Sequence, residues 1–257
     1  MKIFTAEQTR TLDRLTIARE PIASVDLMER AARAFTGWFE EQFPHRPPVG
    51  VFCGPGNNGG DGLAIARMLR TDGYDARPYV IRLKATGSPD FEENLRRLRS
   101  EADVFEVARA EDLPGDLPDT MVLIDALFGA GLARPLEGLP AAVVAFLNGA
   151  GRTVVSVDIA SGLFADQPTN AATAVVRPHL TYTFQFPKLA FMVPENEAFV
   201  GRWWAGDIGL DARATAEMST PYAFTDAAAV RSLYRPRGRF AHKGTFGRAV
   251  VVGGSWG

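Results

Sequence analysis

Apolar positions along this chain change their period partway through. After Ser24, Leu27, Met28, Ala31, Phe35, Trp38 and Phe39 recur three and four residues apart, which predicts an amphipathic helix with that stripe in a core. Ahead of it, Thr5-Ala6-Glu7-Gln8 has the spacing of a capping box and predicts the start of an earlier helix. From residue 49 short apolar runs replace the stripes: Val49-Gly50-Val51-Phe52-Cys53, Arg77-Pro78-Tyr79-Val80-Ile81, Met121-Val122-Leu123-Ile124-Asp125 and Val154-Val155-Ser156-Val157-Asp158. Helical segments separate them, a rhythm that predicts an α/β fold with a parallel sheet covered on both faces. In such sheets ligands bind beyond the carboxyl ends of the strands, near a reversal in strand order, so the residues closing each run are the first candidates for chemistry.

Composition narrows the class. The 257 residues are 46% apolar and 23% charged, with a formal net charge of −2, as in ordinary soluble globular proteins. That balance gives no basic surface for a phosphate backbone, so nucleic acid is not an expected partner. No apolar run reaches the roughly 20 residues that span a bilayer, and the start lacks a signal-peptide core; no membrane partner and a cytoplasmic location are expected. The single cysteine, Cys53, lies in an apolar run and reads as a small buried hydrophobe. Glu92, Glu93, Arg96, Arg97 and Arg99 mix their signs at helical spacing and fit a solvated helix face. Near residue 213 the composition turns polar and leads to Arg235-Pro236-Arg237-Gly238-Arg239, which predicts a linker.

Three stretches carry candidate chemistry. The run Gly54-Pro55-Gly56-Asn57-Asn58-Gly59-Gly60-Asp61-Gly62 follows the first of the four apolar runs and precedes a helical segment, a setting that points free N–H groups at an anion. A dehydrogenase binding NADP is one reading of it. Asp61 weighs against that reading by bringing a carboxylate to the positive helix end, and Arg82-Leu83-Lys84 offers no acid for a ribose 2′-hydroxyl, although it could accommodate a 2′-phosphate. Asp125 and Asp158 each close an apolar run and would meet in one crevice. Two acids there require either a raised pKa or a cation, and Asn58 and Ser161 supply oxygens for a hard one. The histidines, His45, His179 and His242, lack metal-ligand spacing. No P-loop sequence is present.

These motifs bring a resemblance with them. Asn57-Asn58-Gly59-Gly60-Asp61-Gly62, Asp125-Ala126-Leu127-Phe128-Gly129-Ala130-Gly131-Leu132 and Val157-Asp158-Ile159-Ala160-Ser161-Gly162-Leu163, in that order, resemble the YjeF N-terminal domain family, the NAD(P)H-hydrate epimerases. Leu27-Met28-Glu29-Arg30-Ala31 and Phe186-Pro187-Lys188 extend the likeness over roughly residues 1–213. The resemblance implies a Rossmann-like three-layer α/β/α fold with a mostly parallel sheet, an isomerase that interconverts the R and S forms of hydrated NADH and NADPH, and a potassium ion beside the substrate. It implies Asn58, Asp125 and Ser161 as potassium ligands. It implies substrate contacts from Asn57, Asn58, Gly59, Gly60 and Asp61, from Gly129, Ala130, Gly131, Leu132, Ala133, Arg134 and Pro135, and from Asp158, the best candidate for proton transfer. The family's usual proline before Ser161-Gly162 is Ala160 here, and Phe164-Ala165-Asp166-Gln167-Pro168 departs from its small-residue run.

At the far end His242-Lys243-Gly244-Thr245-Phe246-Gly247-Arg248 and Val250-Val251-Val252-Gly253-Gly254-Ser255 resemble the opening of an ADP/ATP-dependent NAD(P)H-hydrate dehydratase domain. The expected organisation is an epimerase domain over 1–213, then a linker and the start of a dehydratase domain over 214–257, with dehydratase activity only in a full-length bifunctional parent. Against the epimerase stands a non-catalytic binding module, since a similar domain serves as an interaction unit in an mRNA-decapping factor; the intact acids favour an enzyme. The sequence leaves open the oligomeric state, a homodimer included, the preference between the two hydrated cofactors, and the choice between loss of hydroxyl and ring opening.

Overall fold

A computed structural model describes residues 1–169 and 173–254; Ser255 of the C-terminal motif lies outside the described residues. In chain order the elements are β1 (Lys2–Ile3), α1 (Ala6–Arg19), α2 (Ser24–Gln42), β2 (Val49–Cys53), α3 (Asn57–Thr71), β3 (Ala76–Ile81), α4 (Pro89–Arg99), β4 (Phe105–Val107), β5 (Val122–Ala126), α5 (Leu139–Gly149), β6 (Thr153–Val157), β7 (Leu180–Phe184), β8 (Arg202–Gly206), α6 (Ala212–Glu217), β9 (Tyr222–Ala223) and α7 (Ala227–Leu233).

The central sheet has seven strands in the order β4-β3-β2-β5-β6-β7-β8, and every neighbouring pair is parallel. Chain order runs outward in both directions from the β2–β5 pair, so the switch point lies between those strands. Side chains alternate between the two faces. Val51, Ile124 and Val155 pack with Phe35, Phe39 and Leu63 of α2 and α3 on one face, while Phe52, Leu123 and Val154 pack with Val143 and Leu147 of α5 on the other. This is the Rossmann-like three-layer α/β/α arrangement.

The predicted elements form for the stated reasons. Thr5 and Gln8 make both hydrogen bonds of the capping box at the start of α1, and the whole stripe from Leu27 to Phe39 on α2 is buried. Cys53 is buried and free, and burial pushes its thiol pKa far up. In the charge run on α4, Glu93 pairs with the exposed Arg96 and the half-buried Arg97, and Arg97 also reaches Glu29 of α2. The compact unit holding the sheet runs past residue 213, from Lys2 to Phe224. β9 pairs antiparallel with β1, and Lys2 Nζ donates to the carbonyls of Thr215, Ala216 and Met218. A second unit begins at Thr225 and holds α7, capped by Asp226; its Val250, Val251 and Val252 are exposed. Among the described residues no helix is long and apolar enough to cross a membrane.

Candidate active site

A cleft of about 1090 Å³ lies beyond the carboxyl ends of β2, β5 and β6. One wall is a face of α1 carrying Arg10, Asp13 and Ile17, and another is the first turn of α3 with Asn57, Asn58 and Asp61. The loop after β5 contributes Gly129, Ala130, Gly131, Leu132, Ala133 and Arg134, and the strand ends contribute Asp158, Gln185 and Lys188. A smaller hollow of about 330 Å³ beside β8 has Glu197 as the sole ionisable group among its described lining residues, so the concentration of acids marks the larger cleft.

The glycine-rich run is helix rather than loop from Asn57 onward. Its glycines let α3 start against the sheet. A Cβ on Gly59 would stand 1.7 Å from the Gly54 carbonyl oxygen, and one on Gly62 would stand 2.6 Å from the Ala126 Cβ. Gly59 and Gly60 are buried and do not line the cleft, nor does Pro135. Asn57 and Asp61, four residues apart, share the helix face that does.

Asp158 follows β6 with φ of 66°, a left-handed conformation that few non-glycine residues adopt. The Ile159 N–H donates to the Val157 carbonyl at 2.8 Å, and the Asp158 N–H to the Tyr182 carbonyl at 2.7 Å, so the β6 end closes as a three-residue turn around Asp158. β7 ends alike: Gln185 has φ of 59°, and the Phe186 N–H donates to the Phe184 carbonyl at 2.7 Å. Both turns present their central side chain to the cleft. Asp158 Oδ1 forms an ion pair with Lys188 Nζ at 2.7 Å and accepts hydrogen bonds from Thr183 Oγ1 and the Phe184 N–H, each at 3.2 Å.

Two further acids share this space. Burial lifts the Asp61 carboxyl well above its ordinary 3.8, with repulsion from Asp158, Asp13 and Asp90 adding to it. Burial likewise raises Asp13 to about 6; Lys188 opposes that shift and Asp158 reinforces it. Burial and mutual repulsion thus favour the neutral form at Asp13 and Asp61 more than at an ordinary aspartate.

Asp125 and Ser161 lie beneath the cleft, fully buried. Asp125 and Ser156 are register partners on adjacent strands and so point to the same sheet face. The Asp125 carboxylate accepts hydrogen bonds from Ser156 Oγ at 2.8 Å, Ser161 Oγ at 2.6 Å, the Ser161 N–H at 2.9 Å and the Leu127 N–H at 3.3 Å. Burial raises its pKa and those four donors pull the other way. Ser161 Oγ is also 3.2 Å from the Phe128 carbonyl oxygen. Asn58 Nδ2 is buried without a hydrogen-bond partner among the described residues, and amide orientation is assigned from such partners. The Asp125 carboxylate, the Ser161 hydroxyl and, with the amide turned, the Asn58 oxygen are the oxygen types that a hard cation takes.

The structure thus gathers Asn57, Asn58, Asp61, Asp158 and the loop from Gly129 to Arg134, and sets Asp125 and Ser161 below them. Sequence reasoning gave no role to Asp13, Gln185, Lys188 or Ser156. Lys188 was within reach, since two acids in one crevice call for a nearby cation and Phe186-Pro187-Lys188 stood in a matched motif. Asp13 had no signal, because nothing in a helix sequence says which polar face meets a cleft.

The model of the family described as YjeF-related protein N-terminus matches residues 24–190. An NAD(P)H-hydrate epimerase of Limosilactobacillus fermentum is 37% identical over 200 residues, covering 77% of this chain and 93% of that protein. A bifunctional NAD(P)H-hydrate repair enzyme Nnr of Thermofilum pendens is 33% identical over 264 residues, covering 99% of this chain and 48% of that protein. The chain therefore spans about half the length of the bifunctional relatives it matches. A crystal structure of yeast ynu0, YNL200c, matches with a TM-score of 0.69 at 22% identity, covering 88% of this chain and 98% of that one; it supports the fold.

Proposed function

Since the chain belongs to the family of YjeF-related protein N-terminal domains, we propose that it is an NAD(P)H-hydrate epimerase, interconverting the R and S forms of hydrated NADH and NADPH. The observation that carries this reading is the cluster of Asp13, Asp61, Asp158 and Lys188 in a cleft large enough for a dinucleotide. A mere interaction surface has no use for three partly buried carboxyls around one ammonium.

In the hydrated cofactor a hydroxyl sits on the ring carbon next to nitrogen, and the nitrogen lone pair helps expel it. The leaving oxygen needs a proton and the returning water must lose one, which is general acid–base chemistry. Asp158 is the group for proton transfer: its turn points it into the cleft, and Lys188 holds Oδ1 in place. Asn57, Asp61 and the loop from Gly129 to Arg134 contact the substrate. A potassium ion, held by Asn58, Asp125 and Ser161, would supply fixed positive charge beside it. The test is chiral separation of NADHX after incubation with purified protein. Equilibration of the R and S forms is expected; unchanged epimers after prolonged incubation would refute the reading.

A further inference from the structure

The acids of the cleft are unevenly partnered. Asp158 has Lys188, Thr183 and the Phe184 amide. Asp13, half-buried on α1, makes no hydrogen bond or ion pair among the described residues. A carboxyl kept from water without a partner is a net cost to folding, so its purpose lies in what enters the cleft.

Epimerisation poses a geometric problem that Asp158 alone does not solve. The hydroxyl departs from one face of the ring and water returns to the other, so one proton is delivered and another removed on opposite sides. A single carboxyl fixed at the end of β6 reaches one face of a ring bound in one pose. Taking the epimerase reading as given, we infer that Asp13 is a second catalytic acid–base group, serving the face of the ring that Asp158 does not reach.

The step balances. The Asp13 proton passes to the ring hydroxyl, the carbon–oxygen bond breaks with its electron pair to release water, and the nitrogen lone pair forms the carbon–nitrogen double bond. Water then attacks the same carbon from the other face, the π pair returns to nitrogen, and the Asp158 carboxylate takes the proton. The reverse reaction, or exchange with solvent, restores the pair. The competent enzyme holds one proton on the two acids, and elevation of Asp13 to about 6 by burial keeps that state accessible near neutral pH. The charged groups facing Asp13 are Asp61 and Asp90 from α3 and α4, Asp158 and Lys188 from the strand ends, Arg134 from the loop after β5, and Glu7, Arg10 and Arg14 on its own helix.

The test follows R to S conversion and solvent oxygen uptake together, in water labelled with oxygen-18, for the wild type, Asp13→Asn and Asp158→Asn from pH 5 to 9. In the wild type each inversion should carry one solvent oxygen. Asp13→Asn should slow inversion by about 10²–10⁴-fold and flatten the alkaline limb of kcat/KM. It should also raise the ratio of oxygen exchange to inversion, because Asp158 still serves its own face. That ratio is internal to each variant and does not depend on the amount of folded protein. An active wild type with Asp13→Asn unchanged in rate and ratio overturns the role of Asp13 alone, as does inversion without solvent oxygen. A wild type that does not interconvert the epimers overturns the epimerase reading and this inference with it.

Discussion

Lys188 Nζ sits 2.7 Å from Asp158 Oδ1, with side chains 5% and 15% exposed, so each neutralises the other where water does little. Removing one partner of such a pair costs about 3–5 kcal/mol, because the remaining charge is stranded. Lys188→Met should lower the unfolding free energy by about that much in urea titrations. Adding Asp158→Asn to it should recover most of the loss. A single-variant loss below about 1 kcal/mol would place the pair among weak surface bridges. Asp158→Asn alone should cut turnover by about 10²–10⁴-fold while NADHX still binds.

The buried Asp125 network leads to a cation test. Its carboxylate accepts from four donors, and the buried Asn58 Nδ2 lacks a partner among the described residues. Replacing potassium with lithium should reduce the epimerisation rate, since a smaller cation fits oxygen ligands spaced for a larger one less well. Asp125→Ala should raise the potassium concentration needed for half-maximal rate. Equal rates in potassium, lithium and cation-depleted buffer would remove the ion from the mechanism.

Much of the sheet was legible because apolar runs announce buried parallel strands. Val49–Cys53, Ala76–Ile81, Val122–Ala126 and Thr153–Val157 fall where those runs predicted them. β7 was not, since Leu180-Thr181-Tyr182-Thr183-Phe184 alternates with threonines, and Thr181 and Thr183 turn out to be fully buried. The site divides the same way. Asp125 and Asp158 could be read from their positions closing apolar runs, whereas the partnership of Asp125 with Ser156 depends on strand register. Asn57 and Asp61 reach the cleft while Gly59 does not, a distinction that appears only once the run is known to be helical.

The end of the sheet-bearing unit is open to truncation. Ala214 is buried, Lys2 is tied to carbonyls of residues 215, 216 and 218, and Thr220 Oγ1 donates to the Ile3 carbonyl at 2.6 Å. A chain ending at Phe224 retains all of these; one ending at Arg213 loses them. The shorter form should melt several degrees below the longer, by the usual conversion of about 1–2 kcal/mol into melting temperature for a domain of this size. Coincident melting curves would show that residues 214–224 add nothing to the unit.

Stability should also fall as pH rises through the range where the cleft acids ionise. For Asp13 the folded value, about 6, lies above the ordinary 3.8, and Asp61 is raised well above it. The folded chain therefore binds protons more tightly at both sites than the unfolded chain does. The contribution is fully present below about pH 3.8 and is lost as pH climbs through the folded values. Asp13→Asn removes that dependence without removing a hydrogen bond, so its melting temperature should exceed the wild type's at pH 7.5 and converge with it near pH 4. Asp61→Asn should behave alike, with its divergence extending to higher pH because its carboxyl is buried among three other acids. Asn variants that melt below the wild type at pH 7.5 would mean that both carboxyls form stabilising contacts when ionised, contrary to the burial from which their raised pKa values follow.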